Sequence, residues 1–422
     1  MRIKLLPNLR GTAPRDSGAS RKGKALPHIR RHSRNVPRSA FCLLLTASRP
    51  CRLLLFLLLT AHCTLPTALA GVWTKQRTAS LAWLHAVFFV DQHRGWAVGS
   101  RGILLATSDG GRSWQAKTQP TEDVIRDVYF TDELNGWLVC ERNIYDLQSN
   151  KDQRAYLMKT SDGGEHWQRV NMRGAAVDTR LSRAVFSGAG HGWAFGEGGT
   201  VYTTRDSGAS WTRQQAPTRY LLLGGAFIDE NSGWLVGAGS TILQTVDGGE
   251  TWHHGRLTNT ASSTTGLANP RPAAQFPRPA IQSPRPATQS MASANGRSAS
   301  VRFNSVSFVD GRRGWAVGSG GSIYRTLNGG SSWQPQTSGV MADLLDVKFL
   351  DALEGWAVGD EGTVLHTTDG GRHWLNEHSP TPHALERVFF TDRTHGWAVG
   401  FGGTIISYGT SDGGISAPRL RQ

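Results

Sequence analysis

Carboxylates recur at regular positions in this 422-residue sequence, and acid–base chemistry is the first function that they suggest. Six segments carry Ser/Thr-x-Asp-x-Gly-x-Ser/Thr-Trp or a close variant, and their central residues are Asp109, Asp162, Asp206, Asp247, Asn328 and Asp369. A catalytic residue is needed once, whereas this one recurs in register, and Asn328 can form the same turn hydrogen bonds but cannot act as a base. We therefore predict a structural role, in which the side chain accepts backbone N–H groups inside a turn and glycine supplies positive φ.

Other side chains give little support for catalysis or for metal binding. Glu197, Asp360 and Glu361 fall in loops near the expected centre of the fold, but the sequence does not show that they converge. A glycosidase needs two carboxylates at a defined separation. His253-His254 is an isolated pair without a cysteine or carboxylate at metal-ligand spacing. We predict no catalytic residue, no metal and no cofactor.

Tryptophan spacing shows an internal repeat. Gly-Trp occurs seven times, at Trp96, Trp137, Trp193, Trp234, Trp315, Trp356 and Trp397. A second tryptophan follows 18 residues later in five repeats and 30 residues later in the second repeat, at Trp167. Trp397 has no such partner, but Trp73 lies 23 residues before Trp96, which is the usual step between repeats. The last strand of the seventh repeat is therefore expected at the start of the repeat region.

Each repeat also has the pattern of four short strands, which we call A to D. In the first repeat these are Leu84-His-Ala-Val-Phe-Phe-Val90, Gly95-Trp-Ala-Val-Gly99, Ile103-Leu-Leu-Ala-Thr107 and Ser113-Trp-Gln. Four-stranded units of about 40–45 residues at even spacing are typical of propeller blades. We predict an all-β fold, a single seven-bladed β-propeller over residues 71–416 that is closed by the strand around Trp73.

The irregular segments fall on one face of the predicted ring. If the A–B and C–D turns share one face, the B–C and D–A loops lie on the other. A 12-residue insertion between Cys140 and Tyr156 is a B–C loop, and a 40-residue excess in the fourth repeat is a D–A loop. That excess, residues 257–299, repeats Pro-Arg-Pro-Ala three times without an acid and is predicted to be disordered. Because variable loops on a rigid scaffold usually carry function, we expect binding on this face.

The formal net charge of +14 lies mainly outside the repeats. Residues 1–70 contain 13 basic residues and one acid, so residues 71–422 carry a net charge of only +2. A basic surface is what nucleic-acid binding would require, and the repeat region does not supply one. We predict no nucleic-acid partner.

Residues 1–70 have the order of an export signal. Arg52 precedes a short apolar run, Leu53–Ala61, and Ala68-Leu-Ala70 then places the expected cleavage before Gly71. The run is too short to cross a membrane, which takes about 20 residues. Residues 1–40 have the composition of a transit peptide or of a spurious upstream start, and we favour the second. The protein is expected to be exported to the periplasm.

Gly-Trp-Ala-Val-Gly-x-x-Gly-x-Ile/Val followed by Thr-x-Asp-Gly-Gly-x-x-Trp, repeated after an export signal, resembles the photosystem II stability/assembly factor family of Asp-box (BNR) repeat proteins. The resemblance covers nearly the whole chain after residue 70. It implies a non-catalytic propeller, periplasmic or in the thylakoid lumen of a photosynthetic source, that binds membrane-protein precursors during assembly. The sequence departs from the family in the Pro-Arg-Pro insertion and in two extra residues before Asp412.

The resemblance also implies an arginine-rich binding patch. The candidate residues are dense around the third repeat and are Arg180, Arg183, Arg205, Arg213 and Arg219. We expect a monomer that binds a protein partner, a membrane protein or its precursor, with peripheral membrane association. The alternative is a glycan-binding or sialidase-like glycoside hydrolase propeller, which would share the Asp-boxes. Such enzymes resemble six-bladed propellers with an Arg-Ile-Pro motif, and this chain has seven repeats and no such motif.

Deletion of residues 260–298 should leave the melting temperature of the purified protein unchanged within about 2 °C, because a segment of this composition buries no core. Differential scanning calorimetry of the full and shortened chains provides the measurement. Loss of soluble protein on deletion would show instead that the segment packs against the ring.

Overall fold

The computed structural model describes residues 71–147, 153–173, 179–188, 190–258 and 300–409. The predicted export segment, residues 259–299 of the predicted insertion and the last predicted propeller residues, 410–416, lie outside these ranges. The described strands form seven separate sheets. The innermost strand of each sheet contacts that of the next, and the seventh contacts the first, so the sheets close into a seven-bladed β-propeller as predicted.

The first four blades follow the predicted A–D order. Blade one contains β2 (Leu84–Phe89), β3 (Gly95–Gly99), β4 (Leu104–Thr107) and β5 (Gln115–Ala116). Blade two contains β6 (Val124–Phe130), β7 (Gly136–Glu141), β8 (Ala155–Thr160) and β9 (Gln168–Arg169). Blade three contains β11 (Leu181–Ser187), β12 (His191–Gly196), β13 (Thr200–Thr204) and β14 (Trp211–Gln215). Blade four contains β15 (Leu222–Phe227), β16 (Gly233–Gly237), β17 (Ile242–Thr245) and β18 (His253–His254).

The last three blades continue the same order. Blade five contains β20 (Phe303–Phe308), β21 (Gly314–Gly318), β22 (Ile323–Thr326) and β23 (Ser332–Gln336). Blade six contains β24 (Leu344–Phe349), β25 (Gly355–Gly359), β26 (Val364–Thr367) and β27 (Leu375–Asn376). Blade seven contains β28 (Leu385–Phe390), β29 (Gly396–Gly400) and β30 (Thr404–Gly409).

The fourth strand of blade seven comes from the start of the described chain. Strand β1 (Val72–Lys75) pairs antiparallel with β30, and Trp73 lies opposite Tyr408. Trp73 is buried, and its indole N–H donates to Glu377 of blade six at 2.9 Å. The predicted closure of the ring by the strand around Trp73 is therefore confirmed.

Two blades carry a fifth, outer strand that the repeat pattern does not predict. β10 (Met172–Arg173) runs parallel to β14 on blade three, and β19 (Arg256–Leu257) runs parallel to β23 on blade five. Leu257, the first residue of the predicted insertion, thus still pairs with Trp333. Six short 3-10 turns complete the described elements: Ser100–Gly102, Ile144–Asp146, Glu197–Gly199, Ser319–Gly321, Asp360–Gly362 and Phe401–Gly403.

Neighbouring blades are joined by a layer of aromatic rings. The last phenylalanine of strand A lies directly over the glycine of its own Gly-Trp pair, so a Cβ on Gly95 would come within 2.5 Å of the Phe89 ring. The other side of the Phe89 ring stacks on Trp397 of the preceding blade, with ring centroids 3.5 Å apart. Trp114 of the same blade meets Phe89 edge-on at 5.9 Å. Offset-stacked and edge-to-face contacts are both favourable geometries for aromatic rings.

This arrangement recurs at all seven blade junctions. Six of the pairs are stacked: Trp397–Phe89, Trp96–Phe130, Trp193–Phe227, Trp234–Phe308, Trp315–Phe349 and Trp356–Phe390. In the seventh pair, Trp137–Phe186, the rings are 4.2 Å apart and tilted by 34°. At the seventh junction the edge-on ring is Trp73, which contacts Phe390 at 5.8 Å. The closing strand therefore supplies the aromatic side chain that every other blade takes from its own fourth strand.

The six motif residues form hydrogen bonds within their own C–D turns. Asp206 Oδ1 accepts the backbone N–H of Ser210 at 2.9 Å, and Oδ2 accepts its hydroxyl at 2.6 Å. The Thr204 hydroxyl donates to Asp206 and accepts the N–H of Gly208. Asn328 Oδ1 likewise accepts the N–H of Ser332 at 3.0 Å. Asp109, Asp162, Asp247 and Asp369 repeat the bond to the backbone four residues on.

The turns also bond to the preceding blade. The indole N–H of Trp193 donates to the carbonyl of Gly248 in the next Asp-box at 2.8 Å, and Trp397 donates to Gly110 at 2.9 Å. Trp356 faces blade seven, whose fourth strand is not preceded by an Asp-box, and its N–H has no hydrogen-bond partner among the described residues; the N–H of Trp137, which faces the Asp-box of blade three, has none either. The Asp-box is therefore part of the junction between blades as well as a turn.

Substitution of Trp73 by alanine should lower the free energy of unfolding by about 3–5 kcal/mol, the usual range for a buried aromatic residue. The matched control is Trp83→Ala, because Trp83 is 40% exposed and lies outside the aromatic layer. We expect the control to cost less than about 1 kcal/mol in urea unfolding. Equal losses in the two variants would contradict the role of Trp73 in closing the ring.

Acid should destabilise the protein through its Asp-boxes. The hydroxyl and the N–H of Ser113 hold the pKa of Asp109 at about 2, below its ordinary 3.8, and Ser210 does the same for Asp206. A depressed folded-state pKa contributes stability above the unfolded value, and this contribution is lost as the pH falls through the folded value. The free energy of unfolding should therefore fall between pH 4 and pH 2.

The variant Asp206→Asn tests that origin of the acid sensitivity. As Asn328 already occupies the equivalent position, we expect Asp206→Asn to fold at pH 7 and to show a smaller loss of stability between pH 4 and pH 2 than the parent protein. Urea unfolding at a series of pH values gives the pH dependence of the unfolding free energy for the variant and for the parent protein. An unchanged slope would show that other carboxyl groups dominate.

Candidate functional site

The two faces of the ring are built from different connections. The A–B and C–D turns lie together, as shown by the bond from Gly110 N–H to the His93 carbonyl at 2.8 Å. The B–C and D–A loops lie together on the other face, where Glu197 N–H donates to the Arg180 carbonyl at 2.8 Å. We call the second face the loop face, since it carries the insertion of blade two.

Three arginines converge on one buried carboxylate at the loop face. Glu141, at the end of strand B of blade two, is 6% exposed. Its oxygens lie 2.6 Å from Arg126 Nε, 2.8 Å from Arg154 NH2 and 3.3 Å from Arg180 Nε. Burial alone would raise the pKa of Glu141, but Arg126 and Arg180 outweigh it and hold the pKa below its ordinary value. The carboxylate therefore stays ionised and holds the three guanidinium groups in place.

Two further arginines of blade two lie on the ring of Tyr156, which packs on the side of the sheet that faces blade one. Arg169 is 4.3 Å from the ring centroid and Arg142 is 5.9 Å away. The Tyr156 hydroxyl donates to Asp123 at 2.6 Å, which fixes the ring. Arg142 Nε is 3.7 Å from Asp123, and Arg169 donates to Gln153 at 3.2 Å. Neither guanidinium group is enclosed by carboxylates.

We call these five residues, Arg126, Arg142, Arg154, Arg169 and Arg180, the arginine cluster. Only three carboxylates contact it in the described part of the chain, and they are Asp123, Glu141 and Glu197. The neighbouring His85 shows the resulting positive field. Burial, together with the charges of Arg126, Arg387 and Arg180, lowers the pKa of His85 to about 3.

The structure separates the five arginines that the sequence suggested. Arg180 belongs to the arginine cluster, whereas Arg183 lies in the central channel and is bonded to Asp346. Arg205 lies in a C–D turn on the opposite face, is 61% exposed and pairs with Glu250 at 2.8 Å. Arg213 is on the outer strand β14, where it donates to Thr200, and Arg219 is exposed in the following D–A loop. They do not form one patch.

Four members of the arginine cluster were not among the residues predicted from the sequence, because arginines that gather around a carboxylate need not form a basic stretch of sequence. Arg126 lies on strand A, Arg142 and Arg154 flank the blade-two insertion and Arg169 lies on strand D. A search for dense basic sequence does not find them, since they are spread over 44 residues. The usable signal was the end of strand B, where Cys140 replaces the glycine of the other six blades and Glu141 extends the strand by one residue.

The central channel is closed by two ion pairs between inner strands. Arg183 of blade three reaches Asp346 of blade six at 3.1 Å, and Arg387 of blade seven reaches Asp127 of blade two at 3.1 Å. The inner-strand residues between the partners are small, which leaves room for the long side chains; they are Gly224, Ser305 and Ala86. We call Asp127, Arg183, Asp346 and Arg387 the channel layer.

The channel layer is tied to the backbone on both sides. Asp127 accepts the N–H of Ala184, the residue after Arg183, at 3.1 Å. Asp346 accepts the N–H of Val388, the residue after Arg387, at 3.0 Å. Each carboxylate therefore bonds both to an arginine across the channel and to the adjacent inner strand, so the four side chains form a closed circuit that fixes the ring from inside.

Exposed aromatic side chains also concentrate on the loop face. Among the described residues, the aromatic side chains that are large and exposed are Trp83, Tyr145, Tyr220 and Phe401. All four belong to B–C or D–A segments. Aromatic residues and arginine are enriched in the cores of protein–protein interfaces. The loop face thus combines both residue types that such an interface uses.

The carboxylates considered for catalysis do not form a pair. Glu197 is on blade three and contacts Arg154, whereas Asp360 and Glu361 are on blade six. Burial, followed by the nearby Asp343, raises the pKa of Asp360. No group of three or more His, Cys, Asp or Glu residues in the described ranges is placed to hold a metal ion. Within the same ranges, no helix has the length and apolar character needed to span a membrane.

Known proteins with this architecture include assembly factors and enzymes. A 153-residue segment is 29% identical to the photosystem II assembly lipoprotein Ycf48 of Synechococcus sp. (strain CC9902), and it covers 35% of this chain and 41% of that relative. A solved structure described as YCF48 bound to D1 peptide is 20% identical, covers 80% of this chain and 97% of its own, and superposes with a TM-score of 0.58. The GH74 xyloglucanase of Xanthomonas campestris is 12% identical, covers 81% of this chain and 54% of its own, and has a TM-score of 0.57.

The two structural likenesses show the fold alone, because both sequences are less than 25% identical to this one. The family itself is shown by its sequence profile. The profile described as photosynthesis system II assembly factor YCF48 matches residues 118–219, 210–268 and 294–378, which together make up more than half of the chain. The chain therefore belongs to the YCF48 family of photosystem II assembly factors.

Proposed function

We propose that this protein is an exported, non-catalytic assembly factor that binds a protein partner, a membrane protein or its precursor, on its loop face. The observation that carries the proposal is the arginine cluster, in which three carboxylates contact four of the five guanidinium groups, together with the four exposed aromatic side chains of the loop face. Family membership supports an assembly role. The name lipoprotein given to the Synechococcus relative supports export.

The chemistry of the cluster favours a partner segment that carries carboxylates. Arg142 and Arg169 stack on Tyr156 and keep donor groups available for a ligand, while Glu141 holds the other three arginines in fixed positions. Planar guanidinium groups match carboxylates in a bidentate geometry. A solved relative is described as bound to D1 peptide, and we propose a peptide of D1 or of an equivalent membrane protein as the partner here.

The glycoside hydrolase alternative has less support. Glu197 is engaged by Arg154, and Asp360 lies three blades away, so the candidate carboxylates do not flank a common cleft. Retaining and inverting enzymes both need two carboxyl groups within about 10 Å of each other across the scissile bond. The likeness to a GH74 enzyme supports only a shared propeller fold.

Removal of the two least enclosed arginines should weaken partner binding without unfolding the protein. For the double variant Arg142→Gln/Arg169→Gln we expect at least about a tenfold increase in the Kd for a fluorescent D1 peptide, the effect of losing about 1.4 kcal/mol. Fluorescence anisotropy at low salt gives the affinity. Raising the salt concentration should weaken the binding of the parent protein more than that of the variant.

The matched control is Arg205→Gln/Arg393→Gln. These two arginines lie on the opposite face and form ion pairs with Glu250 and Asp351, so the control removes the same charge from a different place. Its Kd should stay within about twofold of the parent value. Equal weakening in both variants would show that only net charge matters and would contradict the proposed site.

A further inference from the structure

A lysine inside the ring has no counterion of its own. Lys348 lies on the inner strand β24, two residues after Asp346. Because side chains two apart on a strand point the same way, Lys348 extends into the channel beside the channel layer. No hydrogen bond or ion pair joins its ammonium group to another described residue. Burial lowers the pKa of Lys348, and only the charge of Asp346 opposes this effect.

The carboxylates of the channel layer are bonded to groups other than Lys348. Asp346 Oδ1 accepts from Arg183 at 3.1 Å and from the Ser305 hydroxyl at 2.6 Å, and Oδ2 accepts the N–H of Val388. Asp127 is bonded to Arg387 and to the backbone of blade three. Within the described part of the chain, neither carboxylate is hydrogen-bonded to Lys348.

The charges inside the ring do not balance. Arg183, Arg387 and Lys348 face two carboxylates, Asp127 and Asp346. A third acid near Arg387, Glu386, also lies near a further arginine, Arg126, so one positive charge remains in excess. Arg387 adds a further orphan donor, since its Nε–H is buried without a hydrogen-bond partner. Lys348 is half-buried, and a charge partly removed from bulk solvent is stabilised by a charge of opposite sign nearby.

The two sides of the channel differ at the level of Lys348. At the level of Lys348, blades seven, one and two fill their side with Phe389, Phe88 and Tyr129, whose rings contact one another at 4.8–4.9 Å. The corresponding residues of blades three to five are small and are Val185, Ala226 and Ser307. The aromatic side of the channel is therefore closed, and the side next to Lys348 is lined by short side chains.

Ser307 supplies a second donor at the same level. Its Oγ accepts the backbone N–H of Phe349, the residue after Lys348, at 3.0 Å. The hydroxyl hydrogen has no acceptor among the described residues. A serine hydroxyl can donate one hydrogen bond while it accepts others. Lys348 and Ser307 thus place an ammonium group and a free O–H on adjacent inner strands.

We propose that the central channel binds a small anion, such as chloride or a short carboxylate, between Lys348 and Ser307, next to the channel layer. The anion supplies the missing negative charge, and it accepts hydrogen bonds from the ammonium group and the hydroxyl. It binds the folded ring only, because the unfolded chain does not bring the two inner strands together. This site is separate from the arginine cluster on the loop face and does not depend on the proposed function.

The test uses bromide as a visible substitute for chloride. Crystals of the parent protein soaked in sodium bromide should show an anomalous peak within hydrogen-bonding reach of Lys348 Nζ. Crystals of Lys348→Met should lack it. A channel without a peak in the parent protein would overturn the proposal and would show instead that Lys348 is held as a neutral amine.

A solution measurement shows that binding does not depend on the crystal. At equal ionic strength, the melting temperature of the parent protein should be at least about 2 °C higher in sodium chloride than in sodium gluconate, since a ligand that binds only the folded state stabilises it. Lys348→Met should lose this difference. Lys117→Met, which changes a lysine paired with Glu165 outside the channel, should keep it.

The two measurements together leave the proposal falsifiable even if Lys348→Met fails to fold. In that case the bromide peak and the chloride dependence of the parent protein decide the result, with Ser307→Ala as a second variant that should weaken both. The same chloride dependence in Lys348→Met and in the parent protein would place the ion elsewhere and overturn the assignment.

Discussion

The stacking of one tryptophan on the phenylalanine of the next blade is the contact on which the rest of the propeller depends. The contact is present at all seven junctions, with ring centroids between 3.5 and 4.2 Å apart, and the rings are stacked at six junctions and tilted by 34° at Trp137–Phe186. It requires glycine before the tryptophan, because the phenylalanine ring occupies the space of a Cβ. It also places the indole N–H against the next Asp-box at four junctions. The spacing of the blades, the geometry of the turns and the positions of the two faces of the ring all follow from this junction.

The sequence was most informative about features that repeat. Tryptophan spacing predicts the number of blades and the closure by Trp73. The reason is that an indole side chain packed at every blade junction does not tolerate a shift in register. The stacking phenylalanine was also within reach, because it precedes the Gly-Trp tryptophan by seven residues in every blade, as Phe89 precedes Trp96. The outer strands β10 and β19 were not, because each is a two-residue addition that appears in only one blade.

Features that occur once could not be predicted in the same way. Arg183 and Asp346 are 163 positions apart and meet only because the ring brings blade three opposite blade six. The arginine cluster combines residues from strand A, strand D and both ends of a loop around Glu141. The net charge of +2 over residues 71–422 gives no sign of either, because most arginines in these networks pair with an acid and the total charge does not show where the pairs lie.

The pairing of β1 with β30 has a consequence for the order of biosynthesis. The two strands are joined through residues more than 330 positions apart, so the first strand of the ring to be made must wait for the last one. Until β30 emerges, blade seven is incomplete and Trp73 lacks Tyr408, the residue opposite it. A chain that stops early therefore cannot hide this tryptophan, and an unclosed ring is marked by an exposed aromatic strand that a protease or a chaperone can recognise.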